Sequence, residues 1–328
     1  AGCVSTVMLL PFRSFLAQEV MRYATMNTDE LQRDPNGCVT RYVRGFVRTS
    51  QQNQLAELDG GPIFDSPLIG FADADDPLFA AYKDIVGPFY LSPDEFLSET
   101  SSSGAVTTGD CKAASVICWV LPVAGRTRRS NAASTTTPNA LWAHTRFYGE
   151  AFNDEVRKSL VSFLTAHGYG AVAPVLSPLW HRYMDEPGGP TSNWSERHAC
   201  YVAGLGTFGL SDGFITERGQ AMRCGSVVTS LKLSPGNRIY SSHTENCPFY
   251  VDRSCGACIT RCPADAISEN GHDKEKCRDY QDHHLGYLRE EYQVTITGCG
   301  LCQVGVPCED RIPGSAVSDG DPRLVEGG

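Results

Sequence analysis

No stretch of this chain is apolar over the length of a membrane span. The first residues carry neither a charged region followed by an apolar core nor a twin-arginine signal, so nothing there reads as an export address. Positive charge is scarce as well. Against 38 Asp and Glu stand 28 Lys and Arg, a formal net charge of −10. Twelve acidic residues oppose seven Lys and Arg between Ser241 and Pro313, so about half of the excess lies there. Such a surface repels nucleic-acid phosphates and suits docking with a basic redox partner. The tail Gly314–Gly328 is short and polar, with no helical-repeat extension. At 328 residues, 41% hydrophobic and 20% charged, the chain reads as a soluble globular protein of two or three modules.

Cysteine is present in excess. Eight of the 14 cysteines fall between Cys247 and Cys308. The run Cys255-Gly-Ala-Cys258-Ile-Thr-Arg-Cys262-Pro263 is followed by Cys277, by Cys299-Gly-Leu-Cys302 and by Cys308. Cys-x2-Cys-x3-Cys-Pro with a second Cys-x2-Cys is the order that two cubane iron–sulfur clusters need. Three closely spaced cysteines grip one cubane from a loop, and the cysteine before the proline starts the next helix and ligates the other cubane. A structural zinc site could use Cys255, Cys258, Cys299 and Cys302 as two knuckles. It would leave Cys247, Cys262, Cys277 and Cys308 without a purpose and Pro263 unexplained. A disulfide scaffold suits shorter secreted chains, and the many thiols point to a reducing cytoplasm. Two spacings depart from the usual pattern. The expected first ligand position holds Asp252, so a longer loop must bring Cys247 back, and Cys302-x5-Cys308 is wider than the usual x3.

Upstream of the cysteines, Val4–Phe12 reads as a buried strand, Phe15–Met26 as an amphipathic helix, and Thr28 as the cap of a short helix beginning at Asp29. Residues 38–50 read as a further helix. Residues 75–86 read as another, with Leu78, Tyr82 and Ile85 on one face. Ser92-Pro93-Asp94-Glu95 is a helix start. Cys3 and Cys38 read as packing residues. Residues 101–110 form a small-residue hinge. Beyond it, residues 114–123 read as a buried central strand, residues 125–138 as a surface loop, 139–164 as a helix, 171–176 as a strand and 225–233 as another strand. Ala203-Gly204-Leu205-Gly206-Thr207-Phe208-Gly209 formally matches G-x-G-x-x-G, but residues 196–202 before it read as a helix. A dinucleotide fingerprint needs a strand there. What remains is a backbone that lets a ligand or another chain segment approach closely.

Taken together, these stretches resemble the epoxyqueuosine reductase and reductive dehalogenase superfamily. The residues that carry the resemblance are Phe147–Asp154, Glu196-Arg197-His198-Ala199-Cys200-Tyr201-Val202-Ala203-Gly204-Leu205-Gly206, Gly225-Ser-Val-Val-Thr, Cys255–Ile267, Lys276-Cys277 and Gly298-Cys299-Gly-Leu-Cys302-Gln303. The resemblance covers roughly residues 110–313. It implies an α+β protein with a nitroreductase-like α/β corrinoid-binding core at residues 109–240 and a C-terminal bacterial-type 2[4Fe–4S] ferredoxin domain at 241–313. A mainly helical region, 1–108, precedes them and a polar tail, 314–328, follows.

Carried over residue by residue, the resemblance implies one cluster on Cys247, Cys255, Cys258 and Cys308 and a second on Cys262, Cys277, Cys299 and Cys302. It implies base-off cobalamin lined by Ser192, Asn193, Trp194, His198, Gly204, Gly206, Thr207, Gly209 and Ser226. Electrons from a donor such as ferredoxin or flavodoxin would pass through both clusters to cobalt, which would reduce a small organic substrate. The proton-donating carboxylate of epoxyqueuosine reductases falls at Pro190 here, so Tyr183, Asp185 and Arg197 become the candidate catalytic residues. Each also has an ordinary reading: a packed aromatic, a solvated loop acid and a structural ion pair, with His198 as a satisfied core histidine. A tRNA-modifying role fits the acidic balance poorly. The alternative class is an iron–sulfur electron-transfer protein or partner subunit without a catalytic corrinoid, and a flavin or nicotinamide reductase is the remaining one.

Overall fold

The computed structural model describes residues 28–314, apart from residues 57, 103–111, 185, 187 and 296–297. The strand expected over residues 4–12, the helix over 15–26, Cys3, Asp185, most of the hinge and nearly all of the tail lie outside the described residues. Among the described residues no helix is long and apolar enough to cross a membrane.

Two short-range signals start the chain. Helix α1 (Thr28–Arg33) leads into α2 (Pro35–Thr49), which Asp34 caps by accepting from the Gly37 amide. Strand β1 (Leu68–Asp73) follows, then α3 (Pro77–Ile85) and α4 (Pro93–Ser102). Ser92 and Glu95 form a reciprocal capping box at the start of α4, with the Ser92 amide donating to Glu95 at 2.7 Å and the Glu95 amide to Ser92 at 3.3 Å. The buried face of α3 differs from the expected one. Phe79 and Tyr82 are buried, whereas Ile85 is 65% exposed, because Phe79 stacks on Trp194 and that contact sets the helix rotation.

Strand β2 (Ser115–Pro122) is buried at every position. Its alternate side chains feed two cores: Ile117, Trp119 and Leu121 pack with α2 and with α6 (Ala140–Ala166), while Val116, Cys118 and Val120 pack with α3 and α7 (Glu196–Val202). The period of two explains how one continuous apolar run serves both faces. The sheet order is β1-β2-β8-β3, every neighbouring pair antiparallel, with β8 at Met222–Thr229 and β3 reduced to Ala171–Val172. Thus β1, from the first hundred residues, is an edge strand of this same sheet. The expected strand over 171–176 is cut short by Pro174, which begins a 3-10 turn.

Residues 125–138 correct the expectation of a surface loop. Residues Gly125–Ala132 form helix α5, in which Thr127 and Asn131 are buried. Polar composition suggested solvent, but the polar side chains face the protein. Asn131 donates to the Cys299 carbonyl at 3.3 Å, and Arg128 donates to the Val123 carbonyl at 2.8 Å.

Between α6 and α7 lie the two-residue strands β4 (Arg182–Tyr183) and β5 (Thr191–Ser192). After α7 comes the small hairpin β6 (Gly206–Phe208) and β7 (Phe214–Thr216). The cysteine-rich region then adds the short helices α8 (Pro248–Asp252), α9 (Ala257–Arg261), α10 (Lys274–Asp279) and α11 (Leu288–Glu291). Its seam with the sheet is made by backbone. The Gln220 amide donates to the Cys308 carbonyl at 2.9 Å and the Ala221 amide to the Glu309 carbonyl at 3.2 Å. Gly219, at φ +74°, lies so close that a Cβ there would sit 2.2 Å from the Glu309 carbonyl oxygen. Only glycine permits this approach.

Candidate iron–sulfur site and the adjoining core

Four thiols meet in the first part of the cysteine-rich region. Cys247, Cys255, Cys258 and Cys308 line one small cavity together with Phe249, Gly256 and Val306. The displaced first cysteine is brought back by α8. Cys247 is its N-cap, and the helix ends at Arg253 in the left-handed region, φ +62°, which turns the chain toward Cys255. The departure at Asp252 is therefore spanned by one helical turn. The Cys258 thiol is pushed up to about 11, by burial first and then by the neighbouring charges of Cys247 and Cys255. Cys308 rises to about 12 through burial and the charges of Cys247, Cys258 and Cys255.

The other four cysteines lie within electrostatic reach of one another. The Cys299 thiol rises to about 11 through burial, with Cys277 and Cys262 as its charged neighbours. Cys302 is raised by burial and then by Cys299, Cys277, Cys262 and Cys258. Cys258 and Cys308 of the first group and Cys262 and Cys302 of the second pack against the same small apolar cluster, so the two groups lie side by side. Cys262 closes α9 as its C-cap and starts no helix, correcting the expectation. Its backbone, φ −81° and ψ 109°, is extended as a residue before proline must be.

N–H donors already point at sulfur. The Ala266 amide lies 3.4 Å from Cys262 Sγ, and Gln281 Nε2 lies 3.3 Å from Cys277 Sγ. The loops are held from outside by Arg261, which donates to the Leu301 and Val304 carbonyls at 3.3 and 3.2 Å and to Ser134 at 3.0 Å. Gln220 adds a bond to the Cys302 carbonyl at 3.0 Å. Arg128 reaches both Glu309 and Asp310, at 3.4 and 3.6 Å. Among the described residues no three His, Cys, Asp or Glu side chains converge closely enough to hold a single metal ion.

In the core, β3 pairs with β8 only at Thr229 and Val228, so the Cys224 carbonyl of β8 faces no strand on that side. Side chains of α6 take its place. Asn153 Nδ2 and Arg157 Nη2 donate to the Cys224 carbonyl at 2.9 and 3.3 Å. Arg157, 1% exposed, also pairs with Asp154 at 2.6 Å and Glu196 at 3.1 Å. Burial raises the Glu196 carboxyl, and the Arg157 charge opposes that rise. Ser226 donates to Glu196 and accepts from Trp194 Nε1 at 3.0 Å. No sequence signal marked this network, whose partners lie 39 positions apart.

The candidate corrinoid-lining residues are occupied by the chain itself. Asn193 Nδ2 donates to Leu179 at 2.8 Å while its Oδ1 accepts from the His181 amide at 2.9 Å, and Ser192 donates to the Trp194 carbonyl at 2.6 Å. Thr207 accepts the Asn246 amide at 2.9 Å. A Cβ on Gly206 would lie 2.4 Å from the Ile215 carbonyl, one on Gly204 (φ +75°) would lie 3.0 Å from the Asn237 carbonyl, and one on Gly209 would lie 3.0 Å from the Ile215 side chain. Of the two readings open for this glycine segment, close approach of another chain segment is what is seen. His198 Nδ1 lies 2.7 Å from Ser195 Oγ, and burial and the Arg197 charge lower its pKa to about 3, so its ring is neutral. Tyr183 stacks on Phe89 at 4.2 Å. Exposed Arg197 donates to the Asp212 carbonyl.

No protein-family model matches the chain, and no curated protein does. Solved structures do. An epoxyqueuosine reductase from Bacillus subtilis matches with a TM-score of 0.46 and 17% identity, over 86% of this chain and 66% of that one. An epoxyqueuosine reductase with a tRNA-Tyr epoxyqueuosine-modified stem loop matches with a TM-score of 0.47 and 18% identity, over 86% and 66%. A catabolic reductive dehalogenase matches with a TM-score of 0.46 and 16% identity, over 90% of this chain and 39% of that one. The chain thus spans just under two thirds of the length of those two reductases and well under half of the dehalogenase. Epoxyqueuosine reductases and reductive dehalogenases, the superfamily that the sequence resembles, are also the solved structures to which the chain is similar.

Proposed function

We propose that this chain is an iron–sulfur reductase with two [4Fe–4S] clusters, one on Cys247, Cys255, Cys258 and Cys308 and the other on Cys262, Cys277, Cys299 and Cys302. The observation that carries the reading is the cavity lined by Cys247, Cys255, Cys258 and Cys308 with Cys262 and Cys302 packed beside it, which leaves thiols over in a zinc reading that needs only four. The donor set fits the clusters, since thiolates are their ligands and N–H groups aimed at sulfur set their potentials. When bound, they would supply one-electron transfer. In this reading residues 241–313 form a bacterial-type ferredoxin domain on an α/β core. The chain's own residues position the loops. Arg261 and Gln220 hold the second quartet by its carbonyls, and Arg128 anchors the segment after Cys308. With clusters bound, the shared packing of Cys258 and Cys302 against one apolar cluster would place the two groups side by side for electron transfer. Electrons would enter from a small redox protein such as ferredoxin or flavodoxin. The substrate we propose is a small organic molecule.

The corrinoid fits less well. Asn193, Trp194, Thr207 and Ser226 spend their polar groups within the chain, and the glycines admit its own backbone. These contacts are what support a second reading, an electron-transfer protein without cobalamin. Anaerobic metal analysis of protein expressed with cobalamin supplied separates the cases. About eight irons and one cobalt per chain support the corrinoid reductase. The same iron without cobalt supports electron transfer alone, and four irons or fewer, or zinc, contradict the two-cluster claim.

A further inference from the structure

Glu150, on α6, is shared by three arginines. Arg157 approaches it to 3.2 Å, Arg223 of β8 to 3.6 Å and Arg146 to 3.8 Å. Arg157 has better partners in Asp154 and Glu196. Arg146 and Arg223 do not. Among the described residues neither donates a hydrogen bond to any acceptor, and Arg146 Nη1 is buried without one. Both side chains keep a path to solvent, at 29% and 24% exposure. Two guanidiniums that present their N–H forks without an acceptor are an incomplete arrangement, because such forks are satisfied by planar or tetrahedral oxyanions. Burial, and then the Arg146 charge, lower the Arg223 pKa to about 9; Arg197 adds a further like charge, and Glu150 offsets it only in part.

The location matters as much as the charge. Arg146 lies beside the loop that carries the second quartet, and a Cβ on Gly298 would lie 3.3 Å from Arg146 Cγ. We infer that Arg146 and Arg223 form a binding site for the oxyanion of a small ligand, a carboxylate or a phosphate, held at the face of the core next to the Cys299–Cys302 loop. The inference rests on the small-molecule reading above for its biological meaning. Its geometry is independent of whether the clusters or a corrinoid are present.

The test is direct binding to the full-length chain with its metal content as isolated. Benzoate and inorganic phosphate are the anionic probes, and benzamide is the neutral isostere, each measured by calorimetry. Arg223→Gln and Arg146→Gln are compared with the native chain, with the cluster absorbance and the circular dichroism spectrum confirming folding. One anion should bind, benzamide should not, and each variant should weaken the anion about tenfold or more. Stronger benzoate binding assigns a carboxylate ligand, and stronger phosphate binding assigns a phosphate. Equal binding of benzoate and benzamide, or variants that bind the anion as tightly as the native chain, would overturn the site. Because the readout is affinity, a chain lacking iron or cobalt would still show it, so failure here is distinct from failure of the redox reading.

Discussion

Substituting Gly219 by Ala probes the seam between the sheet and the last cysteine loop. The position is doubly restricted. At φ +74° an alanine pays about 1 kcal/mol for the left-handed conformation. Its Cβ would also sit 2.2 Å from the Glu309 carbonyl oxygen and 2.3 Å from the Asp310 amide nitrogen, both backbone atoms that cannot rotate away. The loop must move, and its movement strains the bonds from the Gln220 and Ala221 amides to Cys308 and Glu309. At about 1 kcal/mol for each bond, the seam loses about 3 kcal/mol in all. That corresponds to roughly a hundredfold increase in its open population. Cys308 sits at this seam, so its quartet should release iron first. Iron loss under anaerobic chelator challenge, followed with time, is the assay. Gly219→Ala should lose about half of its iron roughly a hundredfold faster than the native chain. Release at the native rate with a native unfolding midpoint would refute the reasoning.

Two further outcomes follow from the buried core. Glu196→Ala leaves Arg157 with Asp154 and Glu150 but orphans the Ser226 hydroxyl. It should destabilise the core by about 3 kcal/mol, the lower end for a broken buried pair, whereas a loss below about 0.5 kcal/mol by urea unfolding would show the pair to be dispensable. His198 has its pKa lowered in the fold to about 3, so its contribution is complete above the ordinary histidine pKa near 6.5 and is lost as pH falls from there toward 3. By pH 4 that loss amounts to about 3 kcal/mol, and His198→Gln should flatten the slope of stability between pH 4 and 6. An unchanged slope would assign the acid sensitivity to other groups.

Much of this architecture was legible because the signals are local. The helical spacing of α6, the Ser92-Pro93-Asp94-Glu95 start of α4 and the all-apolar run of β2 each need only neighbouring residues, and each element is where its pattern placed it. The helix before Gly204 was readable for the same reason. Helix α5 was not, since its buried Asn131 finds its partner in the Cys299 carbonyl, 168 positions away. The same distance in sequence hid the Arg157–Glu196 pair and the Gly219 contact with Glu309. In the site, spacing suggested two clusters, and the family resemblance suggested which thiols belong together. How Cys247 returns across Asp252 depended on a left-handed Arg253, for which no local rule exists.

Electron paramagnetic resonance of the dithionite-reduced native chain beside Cys258→Ala tests the central claim most directly. The packing of Cys258, Cys262, Cys302 and Cys308 against one apolar cluster predicts two reduced clusters close enough for their spins to interact, giving a broadened signal in the native chain. In Cys258→Ala that interaction should vanish, leaving the simple signal of one cluster and about half the iron. A simple one-cluster signal from the native chain, or an unchanged signal and iron content in the variant, would contradict the two-quartet account.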